Sequence, residues 1–162
     1  MNFSGDEVRF EEGRIELRGI RYLLIRPETL TSLHKSLVNE VGTEKAREIM
    51  MSGGYSGGRA SAEKFTKELG LSGREIVEFM CGMGSFLGWG RMDGEVSESE
   101  IKVRIYSSPF AESYGKAEKG VCHLIEGVFK GIGDIIFGNA ISEEVKCIAK
   151  GDEYCEIKVW KG

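Results

Sequence analysis

The sequence has no long uncharged segment, no basic N-terminus and no excess of positive charge. Its longest stretch without a charged residue is 79–90, well short of the roughly 20 apolar residues that a membrane-spanning helix needs. Acidic residues occupy the N-terminal region where a signal peptide would be basic and then apolar. The net charge of −4 argues against a broad phosphate-binding surface. We therefore expect a cytoplasmic protein with no membrane span and no direct nucleic-acid partner.

Motifs for nucleotide binding and catalysis are also missing. Glycines 82, 84 and 88 are spaced one residue too far apart for a dinucleotide-binding fingerprint, and no phosphate-loop motif occurs. His34 has no partnered serine or aspartate motif, and Cys81 lies in an apolar, glycine-rich segment without a basic neighbour. We expect a surface or hydrogen-bonded histidine, a buried structural thiol and no catalytic residues. These observations favour a protein other than an enzyme.

Proline is scarce and glycine is abundant, with 2 and 23 among 162 residues. The apolar share of 41% and the charged share of 30% are typical of one globular domain. We predict a single domain over residues 1–162 with a weakly ordered N-terminus at about 1–12. Alternating polarity predicts strand pairs within 14–26, 89–108 and 140–160, and helical spacing predicts helices after Pro27, from about 44 to 69, after 71 and over 120–138. The predicted fold class is α+β, an antiparallel sheet with helices packed on one face.

Four glycines between residues 53 and 58 stand in the predicted helix 44–69. Gly53 and Gly57, and likewise Gly54 and Gly58, are four residues apart, so each pair clears one stripe of a helix. Either the helix is continuous or it breaks at these glycines, because each glycine costs a helix interior about 1 kcal/mol relative to alanine. In both cases the stripe provides room for a partner helix or a ligand.

Three of the four cysteines are Cys122, Cys147 and Cys155, near the C-terminus. In a reducing compartment such clustered thiols more often hold a metal than form disulfides. Cys147 and Cys155 share a face of the terminal hairpin only if its loop has an odd number of residues, and Gly151 suits such a loop. Zinc needs a fourth ligand, for which His123, Glu143 and Glu144 are candidates that spacing alone does not separate. Glu144 would need a bulge or a bend to turn inward.

The pattern Glu144-x-x-Cys147-x7-Cys155, with Cys122 upstream on a predicted helix, resembles the vinyl-4-reductase (4VR, hydrocarbon-binding) domain. That family is structurally related to the TRAPP vesicle-tethering subunits and includes the aromatic-sensing domains of phenol- and xylene-responsive transcription activators. The specific part of the resemblance covers about residues 120–160. It implies a 4VR-like, TRAPP-subunit-like fold and a structural zinc held by Cys122, Glu144, Cys147 and Cys155.

The resemblance also implies a homodimer that binds a small hydrophobic or aromatic molecule and acts as a sensor or carrier. Its alternatives are an interaction scaffold resembling the TRAPP subunits and a reductase of a tetrapyrrole vinyl group. From the residues themselves, an aromatic and methionine-rich set beside the glycines suits an apolar ligand pocket. The candidate ligand-binding residues are Met83, Phe86, Trp89, Tyr106, Phe110 and Phe129.

Overall fold

The computed structural model describes residues 3–162. The five α-helices of this part are α1 (Pro27–Val41), α2 (Thr43–Leu69), α3 (Arg74–Phe86), α4 (Pro109–Tyr114) and α5 (His123–Phe137). Its seven strands are β1 (Val8–Glu11), β2 (Arg14–Leu17), β3 (Ile20–Tyr22), β4 (Arg91–Val96), β5 (Glu100–Tyr106), β6 (Ala140–Lys146) and β7 (Cys155–Lys161). Three-residue 3-10 helices occupy Gly5–Glu7 and Ile148–Lys150.

The main sheet has the strand order β4-β5-β7-β6, and all its pairs are antiparallel. Side chains alternate along β5, where Ile101, Val103 and Ile105 are fully buried and the residues between them are half-buried. Helices α3 and α5 pack on the sheet, since a Cβ at Gly94 would meet Val77 and one at Gly133 would meet Val159. This arrangement confirms the predicted α+β class. Within residues 3–162, no helix is long and apolar enough to cross a membrane.

Helix α2 is continuous through all four glycines, and helix α5 lies against it at backbone distance. A Cβ at Gly54 would lie 1.9 Å from the Leu124 carbonyl oxygen, and one at Gly58 would lie 2.3 Å from that of Val128. The contact is reciprocal, because a Cβ at Gly127 of α5 would lie 2.1 Å from the Met51 carbonyl oxygen. The glycines at 54 and 58 therefore take the partner helix of the two alternatives.

The N-terminal region differs from the prediction. Residues 5–11, expected to be weakly ordered, form a 3-10 turn and strand β1, and the same expectation for residues 1 and 2 lies outside the described residues. Strands β1, β2 and β3 form a separate antiparallel sheet, anchored by Leu17, which is buried, and by Arg18, which stacks on the Phe3 and Phe79 rings. The second predicted strand ends early, at Tyr22. Residues 23–25 are exposed instead.

Two of the predicted strand pairs need corrected boundaries. The turn between β4 and β5 lies at residues 97–99, whereas residues 92–95 belong to strand β4. Strand β6 stops at Lys146 and β7 starts at Cys155, because the chain between them forms a short 3-10 helix that Gly151 ends in the left-handed conformation.

The contact between α2 and α5 yields a prediction with an internal control. Gly54→Ala is expected to lower the free energy of unfolding by about 3 kcal/mol, because the added methyl group forces two backbones apart. Gly57→Ala, three residues along the same helix, meets no atom within 4 Å and is expected to raise stability by up to about 1 kcal/mol through helix propensity. Urea denaturation of the two variants measures the difference. Equal effects would contradict the close approach of the helices.

Candidate functional site

Three cysteine thiols and one carboxylate converge beneath the N-terminus of α5. One ligand atom from each of Cys122, Glu144, Cys147 and Cys155 lies within 4.8 Å of all the others. The Cys155 sulfur is 3.4 Å from that of Cys122 and 3.9 Å from that of Cys147. All three cysteines have no exposed surface. The fold thus brings together the four residues that the resemblance implied.

A β-bulge in strand β6 explains how Glu144 reaches this cluster. Glu144 pairs with Ile157, but Lys146 pairs with Glu156, so one extra residue stands in β6 between these two pairs. The shift reverses the facing of the residues that follow and places Cys147 opposite Cys155 across the hairpin. Glu143 and His123 are not part of the cluster. The bulge is therefore the device that the spacing alone left open.

The surrounding polar groups hold the cluster in place. Glu144 accepts a hydrogen bond from the Cys122 backbone N–H at 2.9 Å, and Asp152 accepts one from that of Cys147 at 2.8 Å. The Cys155 sulfur accepts a hydrogen bond from the Ile148 N–H, and the Ser108 hydroxyl lies 3.3 Å from the Cys122 sulfur. Such outer contacts fix the rotamers of the inner groups before any ligand arrives.

The electrostatics of the cluster favour a cation. Burial, and next the nearby Cys147 thiol, raises the pKa of Glu144 to about 8. Hydrogen bonds from the Cys122 and Cys147 thiols lower the pKa of Cys155 to about 4. Three thiolates and a carboxylate at these distances repel one another, so the cluster needs either protons or a divalent ion. One carboxylate oxygen of Glu144, Oε1, is buried and has no hydrogen-bond partner in the described chain, so it is available to such an ion.

A polar cleft of about 470 Å³ lies beside the cluster and is lined by Arg47, Lys119, His123 and Glu144 among others. Behind it Glu126 is fully buried in α5, where Arg47 donates to it at 2.6 Å and Ser142 at 3.1 Å. Burial alone would raise the pKa of Glu126, but the His123 hydrogen bond and the Arg47 charge outweigh it, and the pKa is lowered. This charged cleft is a poor match for an apolar molecule.

A second, apolar cavity of about 270 Å³ lies between α2, α3 and α5, with β3 and the start of β4 completing its wall. The stripe of Gly53 and Gly57 opens it, because neither residue carries a side chain that would fill the space. A cavity of about 150 Å³ already holds benzene, so this one has room for a substituted aromatic ring. Its described lining is Ile20, Tyr22, Gly53, Gly54, Gly57, Gly58, Ser61, Met80, Met83, Gly84, Leu87, Trp89, Met92, Leu124, Ile125, Val128 and Phe129.

The six candidate ligand-binding residues divide into two groups. Met83, Trp89 and Phe129 line the apolar cavity. The other three, Phe86, Tyr106 and Phe110, do not: Phe86 stacks on Phe3, Tyr106 packs on Tyr154, and Phe110 packs edge-on against Trp89 from behind. Periodicity identified apolar positions in these elements but did not indicate which side of the layer each one faces.

Sequence reasoning missed two parts of the site. Ile20 and Tyr22 reach the cavity from the N-terminal sheet, and no local pattern indicates that this sheet folds back over α2 and α3. Glu126 did carry a signal, because it is a charged residue among the apolar positions Ile125, Val128 and Phe129 of one amphipathic helix. A charge in that place predicts a buried partner.

Comparison with known proteins places this architecture. The family model XylR_N, described as activator of aromatic catabolism, matches residues 7–99, more than half of the chain. The chain belongs to this family. A second family model, that of the 4VR domain, matches residues 101–161, which contain all four residues of the cluster. The resemblance to the 4VR domain is therefore confirmed.

Two relatives of this member of the aromatic-catabolism activator family are bacterial regulators. The phenol regulator MopR of Acinetobacter guillouiae is 26% identical over 94% of this chain, and the transcriptional regulatory protein XylR of Pseudomonas putida is 25% identical over 97%. In both comparisons the chain spans 30% of the relative's length. The similarity thus concerns one part of each regulator.

Solved structures share the fold. The phenol-responsive sensory domain of the transcription activator PoxR superposes with a TM-score of 0.84 and 22% identity, covering 96% of this chain and 85% of that one. A trafficking protein particle complex subunit 3 from Naegleria fowleri gives a TM-score of 0.57 with 19% identity, covering 83% and 93%. A vinyl-4-reductase family protein from Methanocaldococcus jannaschii gives 0.54 with 15% identity, covering 83% and 77%. The TRAPP-like and 4VR-like fold is therefore confirmed.

His34 of this family member is buried, with 4% of its surface exposed, against the rings of Tyr114 and His123. Burial, and next the charge of His123, lowers the pKa of His34 to about 4. The unfolded chain binds a proton on this histidine below about pH 6.5, whereas the folded chain stays neutral until about pH 4. Protonation therefore favours the unfolded state between these two values.

We expect the free energy of unfolding to fall by up to about 1.4 kcal/mol per pH unit through His34 alone between about pH 6 and pH 5. His34→Phe keeps an aromatic ring beside Tyr114 and is expected to remove this component of the slope. Urea denaturation of both proteins at each pH, compared as a difference, measures it. Parallel slopes in the two proteins would rule out a proton-free His34.

Proposed function

We propose that residues 1–162 form a single ligand-sensing or carrier domain that binds a small hydrophobic or aromatic molecule in the apolar cavity. The observation that carries the proposal is the cavity itself, which combines about 270 Å³ of space with a lining that has no charged residue among its described members. An uncharged, mostly apolar molecule matches such a wall, because a charged ligand would lose its hydration without compensation. The family's description, activator of aromatic catabolism, and the phenol-regulator relative support an aromatic ligand.

We also propose a structural zinc ion at Cys122, Glu144, Cys147 and Cys155. Sulfur atoms bound at ~2.3 Å around a tetrahedral ion lie about 3.8 Å apart, and the distances of 3.4 and 3.9 Å bracket that value. Four protein ligands complete the tetrahedron and leave no position for an activated water. In this proposal the ion ties α5 to the terminal hairpin and supplies no reaction step.

A homodimer is the third part of the proposal. Leu23 and Leu24 are 79% and 82% exposed, and Ile25 follows them with half of its surface exposed. Three consecutive exposed apolar residues, with Leu33 exposed on the helix that follows, form a surface that association with a second copy would remove from water.

The zinc proposal predicts linked losses of metal and stability. Cys147→Ser and Cys155→Ser are each expected to lose the ion and to lower the free energy of unfolding, on the order of 3–5 kcal/mol. Cys81→Ala is the matched control, since Cys81 is also a buried thiol and lies outside the cluster. Elemental analysis and urea denaturation give the two readouts. Unmodified protein of normal stability with no bound metal would rule out the site.

The ligand proposal predicts that filling the cavity blocks binding. Gly57→Leu places a side chain in open space at the cavity wall and is expected to weaken toluene binding at least about tenfold. Ser56→Leu adds a similar side chain on the exposed side of the same helix and serves as the control. Calorimetric titration with toluene measures the affinities.

Native mass spectrometry of the unmodified protein, followed by denaturing extraction, reports any retained small molecule and the mass of the assembly in one sample. The expected mass is twice that of the 17.9 kDa chain, plus the metal. No binding of toluene or of any co-purifying apolar compound would contradict the ligand proposal and favour an interaction scaffold.

A further inference from the structure

The wall of the apolar cavity contains few groups able to form hydrogen bonds. Among its described residues, only Tyr22, Ser61 and Trp89 carry a side-chain nitrogen or oxygen atom. Such isolated polar groups in an apolar pocket fix the orientation of a ligand and discriminate between ligands of equal size.

Tyr22 stands out among the three because its position is fixed by the N-terminal sheet. It ends strand β3, where it pairs with Ile15, while Ile20 pairs with the buried Leu17. Since side chains two residues apart share a face of a strand, Tyr22 and Ile20 both face the helices. The sheet therefore holds the Tyr22 ring in the cavity wall.

The hydroxyl of Tyr22 has an unusually weak partner. Within residues 3–162 its one hydrogen bond is donated to the thioether sulfur of Met83, at 3.6 Å. A thioether is a poor acceptor compared with a hydroxyl or carbonyl oxygen, so most of the donor's capacity is unused. Met83 lines the same cavity, which places the hydroxyl where a bound molecule reaches it.

The protonation state of Tyr22 suits a donor. Burial raises the pKa of Tyr22 above its ordinary value, so the group carries its proton throughout the neutral range.

We propose that Tyr22 is the specificity-determining residue of the cavity, and that its hydroxyl donates a hydrogen bond to an oxygen of the ligand in place of the Met83 sulfur. The preferred ligand is then an uncharged aromatic molecule with one hydroxyl or carbonyl oxygen, rather than a hydrocarbon of the same size. This inference rests on the proposed function of the cavity.

Phenol and toluene are the probes that test it, because a hydroxyl and a methyl group of similar size distinguish them. Tyr22→Phe removes only the hydroxyl oxygen and is expected to weaken phenol binding about fivefold, the usual effect of one hydrogen bond, while toluene affinity changes less than about twofold. Calorimetric titration of both ligands into both proteins gives the ratio. Tyr106→Phe is the matched control, since the same change at Tyr106 lies outside the cavity and leaves the ratio unaltered.

The outcomes separate the inference from the proposed function. If the unmodified protein binds both probes and Tyr22→Phe leaves the phenol-to-toluene ratio unchanged, Tyr22 does not set specificity although the cavity binds ligands. If the unmodified protein binds neither probe, both the cavity function and the role of Tyr22 are wrong. Met83→Leu is the second variant, which keeps the hydroxyl and removes its competing acceptor. It is expected to raise the ratio, and a fall would overturn the assignment.

Discussion

The close contact between helices α2 and α5 is the constraint on which the other features depend. At Gly54, Gly58 and Gly127 the backbones approach to distances that leave no room for a Cβ. This approach fixes α5 over the sheet and so places Cys122, at its N-terminus, above the terminal hairpin. It also leaves Gly53 and Gly57 of α2 beside the fixed helix, where their missing side chains open the apolar cavity. One stripe of small residues thus holds the helices together and the adjacent stripe provides space.

The two candidate sites share helix α5 but differ in chemistry. Its N-terminus contributes Cys122 to a compact set of thiols and a carboxylate that favours a cation, whereas its middle contributes Ile125 and Phe129 to an uncharged cavity. Between them the buried Glu126, paired with Arg47 of α2, fixes one helix to the other. In such a layout a metal that orders the start of α5 also stabilises one wall of the cavity. The metal is then part of the scaffold for ligand binding and takes no part in chemistry.

Much of the fold was predictable because it depends on local pattern. The alternation along 101–105 predicted β5 with its buried face, and the spacing of apolar residues predicted α5. The predictions were wrong where a distant contact decides the outcome. Residues 8–11 form a strand because β2 lies beside them, and the chain from residue 23 leaves the sheet although its composition suits a strand. Edges of this kind depend on which partner is present, and a local window does not contain that partner.

The sequence by itself determined the chemistry of the metal cluster, since the order and spacing of Cys122, Glu144, Cys147 and Cys155 indicate a ligand set before any coordinates are considered. The tertiary structure alone decided how Glu144 turns inward, because the extra residue of the bulge appears only in the register between β6 and β7. It also decided that Met83 lines the cavity and Phe86 does not, and that Tyr22 from a distant strand joins the wall. Spacing along the chain specifies which residues share a face of their own element. The packing of separate elements specifies which faces meet.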